Sequence, residues 1–352
     1  MLLPQSFSKL GKVFFTSALP LIITTLPTAA KAAQKFDALY VFGDSLSDTG
    51  NVFETSGDQF PPSPYFEGRF SNGPNWIDYL GEDLGLSPSL VTGSASSTEG
   101  INFAFGGATT GSDNTIALTS SVFAGLPSLQ QEISYFTGRV PTADPDALYI
   151  VWAGANDYLP TQGSFVPSTS PDVPLENLSN AVTSLANVGA KNIMVVNLPD
   201  LGITPVATSV DQSLPGTSAA LCAVSEAHNA GLKTTLNDLS QNLDINIIPL
   251  YVDSLFEKIS DNPGEFGLTN VTDSCLNISN GTVCSDQKEH LFWDSYHPTT
   301  AVHQILAEQA FSVLESQAVP EPAAEWGVLA PGVLGMGGLL RQKQKKANKV
   351  KL

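Results

Sequence analysis

Apolar, β-favouring runs recur along the chain at Ala38–Phe42, Ile101–Phe105, Ala147–Ala153, Asn192–Leu198 and Ile245–Val252. Segments with a helical spacing of apolar positions separate them: Trp76–Leu84, Leu126–Phe136, Leu175–Val188 and a long one through Ser218–Leu243. A last helix follows Pro298, from about Thr300 to Ser316, with the proline suited to its first turn. Strands that are continuous apolar runs are buried on both faces, and their alternation with helices predicts a single doubly wound α/β domain around five parallel strands. In such sheets ligands gather at the carboxyl ends of the strands. Two irregular stretches rich in Pro, Ser and Gly, residues 50–74 and 154–174, are predicted as loops over that rim.

The ends break this pattern. Lys9 and Lys12 precede an apolar run from Val13 to Thr28, which is followed by Ala30-Lys31-Ala32, a small-x-small site. Residues 1–32 read as a secretory signal peptide, an uncleaved anchor being the alternative that Pro20 and Pro27 disfavour. The body of the chain then spans residues 34–318. Residues 319–352 carry Val319-Pro320-Glu321-Pro322, an uncharged stretch from Trp326 to Leu340, and a basic tail. That stretch is short for a bilayer span and is interrupted by Pro331. Its order of parts resembles the PEP-CTERM sorting signal of Gram-negative bacteria, which implies removal by an exosortase after signal peptidase has acted. Export across the inner membrane, to an extracellular or envelope-associated site, is the expectation.

Charge sharpens the picture. Across 352 residues, 16 Lys and Arg face 34 Asp and Glu, for a net charge of -18. Nine of the basic residues lie in the two ends, so the body is more acidic than the whole and repels phosphate backbones; nucleic acid is excluded as a partner. With 42% hydrophobic and 14% charged residues the chain is globular. Of three cysteines, Cys275 and Cys284 bracket a short polar loop and are expected to pair in an oxidising compartment, while Cys222 is left over in a helical pattern.

Chemistry-bearing residues follow the strands. Gly43-Asp44-Ser45 comes after the first, and a serine there exposes its hydroxyl and backbone N–H at the sheet rim; alone it is as readily a helix cap. A nucleophilic serine needs a general base, and that base needs an orienting carboxylate. His297, with Asp294 three residues earlier, is alone among the four histidines in meeting that need. Gly106-Gly107 and Asn156, each just past a strand end, offer N–H donors for an oxyanion, although each also reads as a simple turn. His228 and His303 fall in helical patterns and read as packing residues, and His290 as a possible pocket residue.

These blocks together resemble the GDSL (SGNH) lipases and esterases. Residues 42–51 (FGDSLSDTGN), 68–76 (GRFSNGPNW), 102–108 (NFAFGGA), 154–157 (GAND) and 294–298 (DSYHP) match the family's segments in order, over residues 38 to about 317. The resemblance implies Ser45 as nucleophile, His297 as base, Asp294 as its orienting acid, and an oxyanion hole of the Ser45 and Gly107 N–H groups with the Asn156 side chain; Gly106 is the alternative donor. It also implies a flavodoxin-like three-layer sandwich and an exported hydrolase of carboxylic esters working without cofactor or metal. A carbohydrate O-deacetylase on the same triad and a catalytically silent binding protein are the competing readings. Aromatic loop residues (Phe53, Phe60, Tyr65, Phe66, Phe123, Tyr158 and Phe165) lean towards acyl chains as the substrate.

Overall fold

The computed structural model describes residues 35–93, 97–161 and 164–317. The two terminal segments read as a signal peptide and a sorting signal lie outside the described residues. The first half runs β1 (Leu39–Gly43), α1 (Asn51–Thr55), α2 (Trp76–Leu84), β2 (Ser89–Leu90), β3 (Gly100–Asn102), α3 (Leu129–Arg139), β4 (Leu148–Trp152) and α4 (Ala155–Tyr158). Next come α5 (Asp172–Asn187), β5 (Asn192–Val196), α6 (Pro205–Asp211), α7 (Thr217–Asn242), β6 (Asn246–Leu250) and α8 (Asp253–Asp261). The last part holds β7 (Asn270–Ser274), β8 (Leu276–Asn277), β9 (Thr282–Val283), β10 (His290–Phe292) and α9 (Thr300–Gln317).

Six strands form one parallel sheet in the order β2-β3-β1-β4-β5-β6. Strand alternation splits its side chains between two cores. Leu39, Val41, Leu148, Ile150, Met194 and Val196 face Trp76, Ile77 and Leu80 of α2, Phe256 of α8 and Leu306 of α9. Phe42, Tyr149, Val151, Ile193 and Val195 face Ile133 and Phe136 of α3, Val182 of α5 and Leu232 of α7. Both faces are thus covered, which is why the strands read as unbroken apolar runs.

The sheet has one strand more than the five expected. β2 is two residues long at the sheet edge, too short to produce a period. α3 begins at Leu129 rather than Leu126, because Pro127 precedes it and the Ser128 N–H donates to Gln131 Oε1 at 3.0 Å, closing the helix start there. α2 matches its expected bounds; Asn75 Oδ1 accepts from Ile77 N and Asp78 N, and Gly85 ends the helix at φ 68°. The loops predicted over the rim include the short helices α1 and α4. Downstream of α8, β7 pairs with β10, and β8 with β9 forms a hairpin across which Cys275 and Cys284 are disulfide-bonded.

Candidate active site

The chain leaves β1 for β3 on one side and later returns to β4 on the other, so the crevice outside the carboxyl ends of β1 and β4 is the switch point of the sheet. β1 ends at Gly43, where a Cβ would lie 2.1 Å from the Trp152 carbonyl oxygen; only glycine lets the strand pass so close to β4. The next turn is held by carboxylates. Asp44 accepts from Leu46 N at 3.0 Å, and Asp48 accepts from Gly50 N, Asn51 N, Val52 N and, across the crevice, Gly106 N at 2.9 Å. Ser45 stands on this turn, bordering a cavity of about 400 Å³.

His297 arrives from the far end of the chain. After β10, Trp293 N donates to the His297 carbonyl at 2.7 Å, and Asp294 Oδ1 accepts from Tyr296 N and His297 N, both at 2.8 Å, so one tight turn aims both side chains. His297 Nδ1 lies 2.8 Å from Asp294 Oδ2, and His297 Nε2 lies 2.8 Å from Ser45 Oγ. Three residues spread over 252 positions of sequence therefore form one hydrogen-bonded line. Asp294 is buried, which opposes its ionisation, but His297 and the hydrogen bonds it receives hold its carboxyl below the usual carboxylate range.

Segment 68–76 gains a purpose here. Ser71 Oγ donates to the Pro298 carbonyl at 2.9 Å, Asn72 Oδ1 accepts from Thr300 N at 2.8 Å, and Thr300 Oγ1 donates to the Pro74 carbonyl at 2.8 Å. It clasps the histidine turn. Asn75 Nδ2 donates to the Asp48 carbonyl, and Asn102 Nδ2 donates to the Ser47 carbonyl, tying the serine turn to the same frame.

On the other side of Ser45, Gly107 and Asn156 border the cavity. The Gly106 N–H is taken by Asp48, whereas Gly107, at φ 78°, donates its N–H to no acceptor among the described residues. Asn156 Nδ2 donates to the Ala108 carbonyl at 3.0 Å, which leaves its second N–H. Asp157 accepts from Thr110 N and Thr110 Oγ1, and Tyr158 OH pairs with His228 Nδ1 at 2.8 Å, so both residues after Asn156 are anchored.

Four acids lie buried behind the site. Burial pushes Asp44 up to about 7 and Asp48 and Asp157 up to about 6, each partly offset by the amides they accept from. The fourth, Glu132, was not legible as a site-supporting residue: it sits on a helix with nothing in its neighbours to mark it. It accepts from Gly43 N at 2.8 Å and Phe105 N at 3.2 Å, bracing the ends of two strand paths, and burial raises it well above the usual range.

Walls of the cavity are mainly apolar: Leu46, Phe60, Tyr65, Phe70, Ile116 and Phe123 among them. Of the seven aromatic residues expected there, Phe60, Tyr65 and Phe123 border it; Phe53, Phe66, Tyr158 and Phe165 do not. Tyr158 turns instead to His228, a packing residue as expected, whose ring burial lowers to about 4. His290 does not border the cavity and lies against Cys284 of the disulfide. Cys222 donates to Asp200 Oδ2 at 3.1 Å, and burial followed by that carboxylate raises its thiol to about 11.

Comparison with known proteins decides the family, since the family model described as GDSL-like Lipase/Acylhydrolase matches residues 39–310. The chain belongs to this family. It is an ester hydrolase of the GDSL type. A phosphatidylcholine-sterol acyltransferase of Aeromonas hydrophila is 29% identical, over 87% of this chain and 98% of its own. A GDSL esterase/lipase of Arabidopsis thaliana is 28% identical, over 80% of this chain and 83% of its own. The solved acetyl xylan esterase AlAXEase aligns at 15% identity and a TM-score of 0.41, over 78% of this chain and 98% of its own.

Proposed function

We propose that this GDSL hydrolase cleaves carboxylic esters through an acyl-enzyme on Ser45. The observation that carries the reading is the unbroken line Ser45 Oγ, His297 Nε2, His297 Nδ1, Asp294 Oδ2, with 2.8 Å at both contacts. Asp294 accepts a hydrogen bond from Nδ1–H, which holds the proton on that nitrogen and leaves Nε2 as the base. Ser45 Oγ gives its proton to Nε2 as it bonds to the ester carbonyl carbon, and the carbonyl oxygen becomes an oxyanion. The N–H groups of Ser45 and Gly107 and the remaining Asn156 N–H are the donors that receive it. His297 then protonates the leaving alcohol, and water activated by the same nitrogen releases the acid.

Acyl chains are the favoured substrate, because the cavity beside Ser45 is walled by apolar side chains; an acetyl group on a glycan would leave most of that surface uncovered. Export is part of the same reading. Its supports are the sequence of residues 1–32 and 319–352 and the Cys275–Cys284 disulfide, a bond kept in oxidising compartments; signal peptidase and exosortase are the processing partners. The test is hydrolysis of p-nitrophenyl acetate, butyrate and palmitate by the purified protein beside Ser45→Ala. Activity on butyrate or longer that vanishes in the variant supports the reading. Activity on acetate alone turns it to O-deacetylation, and equal rates in both proteins overturn it.

A further inference from the structure

The Asp294 carboxylate has one more partner than the line of three requires. Tyr65 OH donates to Asp294 Oδ2 at 2.6 Å, on the oxygen that also receives His297 Nδ1–H. Oδ1 accepts from the Tyr296 and His297 amides and lies 3.0 Å from His297 Nδ1, so within this buried carboxylate Oδ2 is the oxygen on which the phenol and the shorter Nδ1 contact meet. The ring is fixed as firmly as the hydroxyl. It stands edge-on to Trp293 and Phe70, with centroids 6.1 and 6.5 Å away, and Tyr65 N donates to the Pro62 carbonyl. Burial and the neighbouring carboxylate keep the phenol protonated, so it is always the donor.

We infer that Tyr65 is a positioning residue for ester hydrolysis: its hydroxyl fixes Asp294 and moderates the charge that Asp294 presents to His297. The inference rests on the triad reading given above. Two consequences follow from the shared oxygen. Without the phenol, Oδ2 keeps only its contact with Nδ1, and the imidazole is free to shift towards Oδ1, already 3.0 Å away, and out of line with Ser45. Asp294 also presents its full charge to the ring, so the imidazolium is held more tightly and the base is blocked to a higher pH. The other titratable groups facing this pair are Asp44, which interacts electrostatically with His297, the buried His303, and Tyr296. None of them bonds to Oδ2.

Tyr65→Phe in the full-length protein keeps the ring and removes the bond. The expected result is kcat on p-nitrophenyl butyrate lower by about 10-fold with KM within about twofold, and an acid limb of kcat/KM moved up by about half a pH unit. In an Asp294→Asn background the same substitution should have no effect, because its target is gone. 3-Fluorotyrosine at position 65, a stronger donor of unchanged shape, should move the limb down, and it decides the matter alone if Tyr65→Phe fails to fold. An unmoved limb in either substitution, or an undiminished effect in the Asp294→Asn background, overturns the inference. Failure of the triad reading is separate, since it would appear as activity surviving Ser45→Ala.

Discussion

Asn156 and Gly107 differ in what they can lose. Asn156→Ala removes a side-chain donor that borders the cavity together with its bond to the Ala108 carbonyl, so turnover should fall on the order of 10²–10³-fold while stability falls by only about 1 kcal/mol, checked by steady-state kinetics beside chemical denaturation. Gly107→Ala is a structural lesion. Its φ of 78° and a Cβ 2.7 Å from Asn114 Oδ1 put strain directly into the loop, with an expected loss of about 1–3 kcal/mol in urea unfolding. Ser45, His297, Asp294, Asn156 and Gly107 were legible in sequence because each sits beside a strand end or a tight turn in an ordered set of blocks. Tyr65 was legible only as an aromatic loop residue. Its bond to Asp294 spans 229 positions, and no local pattern encodes a contact between two loops that meet only in the folded chain.

Among the elements, the disulfide hairpin and the clasp at segment 68–76 carry the separable tests. Cys275 and Cys284 are bonded across a sequence separation of 9, and the chain-entropy relation puts the gain at about 2.5 kcal/mol. Cys275→Ala/Cys284→Ala should lower stability by that order, read by chemical denaturation. Ser71→Ala frees the Pro298 carbonyl, and Asn72→Ala frees the Thr300 N–H. Each should cost about 1–2 kcal/mol in urea unfolding and lower kcat more than it raises KM, since the loosened turn carries His297 and not the cavity wall. The five helices read from the sequence were read nearly to their ends, while the short α6 and α8 were not read; β2, β8 and β9 are two residues long and β7 is largely polar, so none of these strands presents the apolar run that marked the others.

For the molecule as a whole, the buried acids set an acid-leaning stability. Asp44, Asp48, Asp157 and Glu132 keep their protons in the folded chain at pH values where the unfolded chain has released them, so each favours folding less as pH rises from about 4 towards its raised pKa. His228 and His303, lowered to about 4 and about 3, act the other way, their contribution being lost as pH falls below about 6.5. Four acids outweigh two histidines between about pH 4.5 and 6, and above about 6.5 the histidines drop out. Urea-unfolding free energies should therefore fall from pH 5 to pH 7.5, and a flat or rising profile would refute the balance. The chain's own order of apolar runs and turn blocks determined an α/β sheet with a serine at its rim, because strand burial and turn chemistry are local properties written in residue type. Only the tertiary structure decided which strand lies beside which, that the Gly106 N–H is spent on Asp48 while Gly107 faces the cavity, and that Tyr65 completes the Asp294 carboxylate. Those outcomes depend on distances between segments far apart in sequence, which packing fixes.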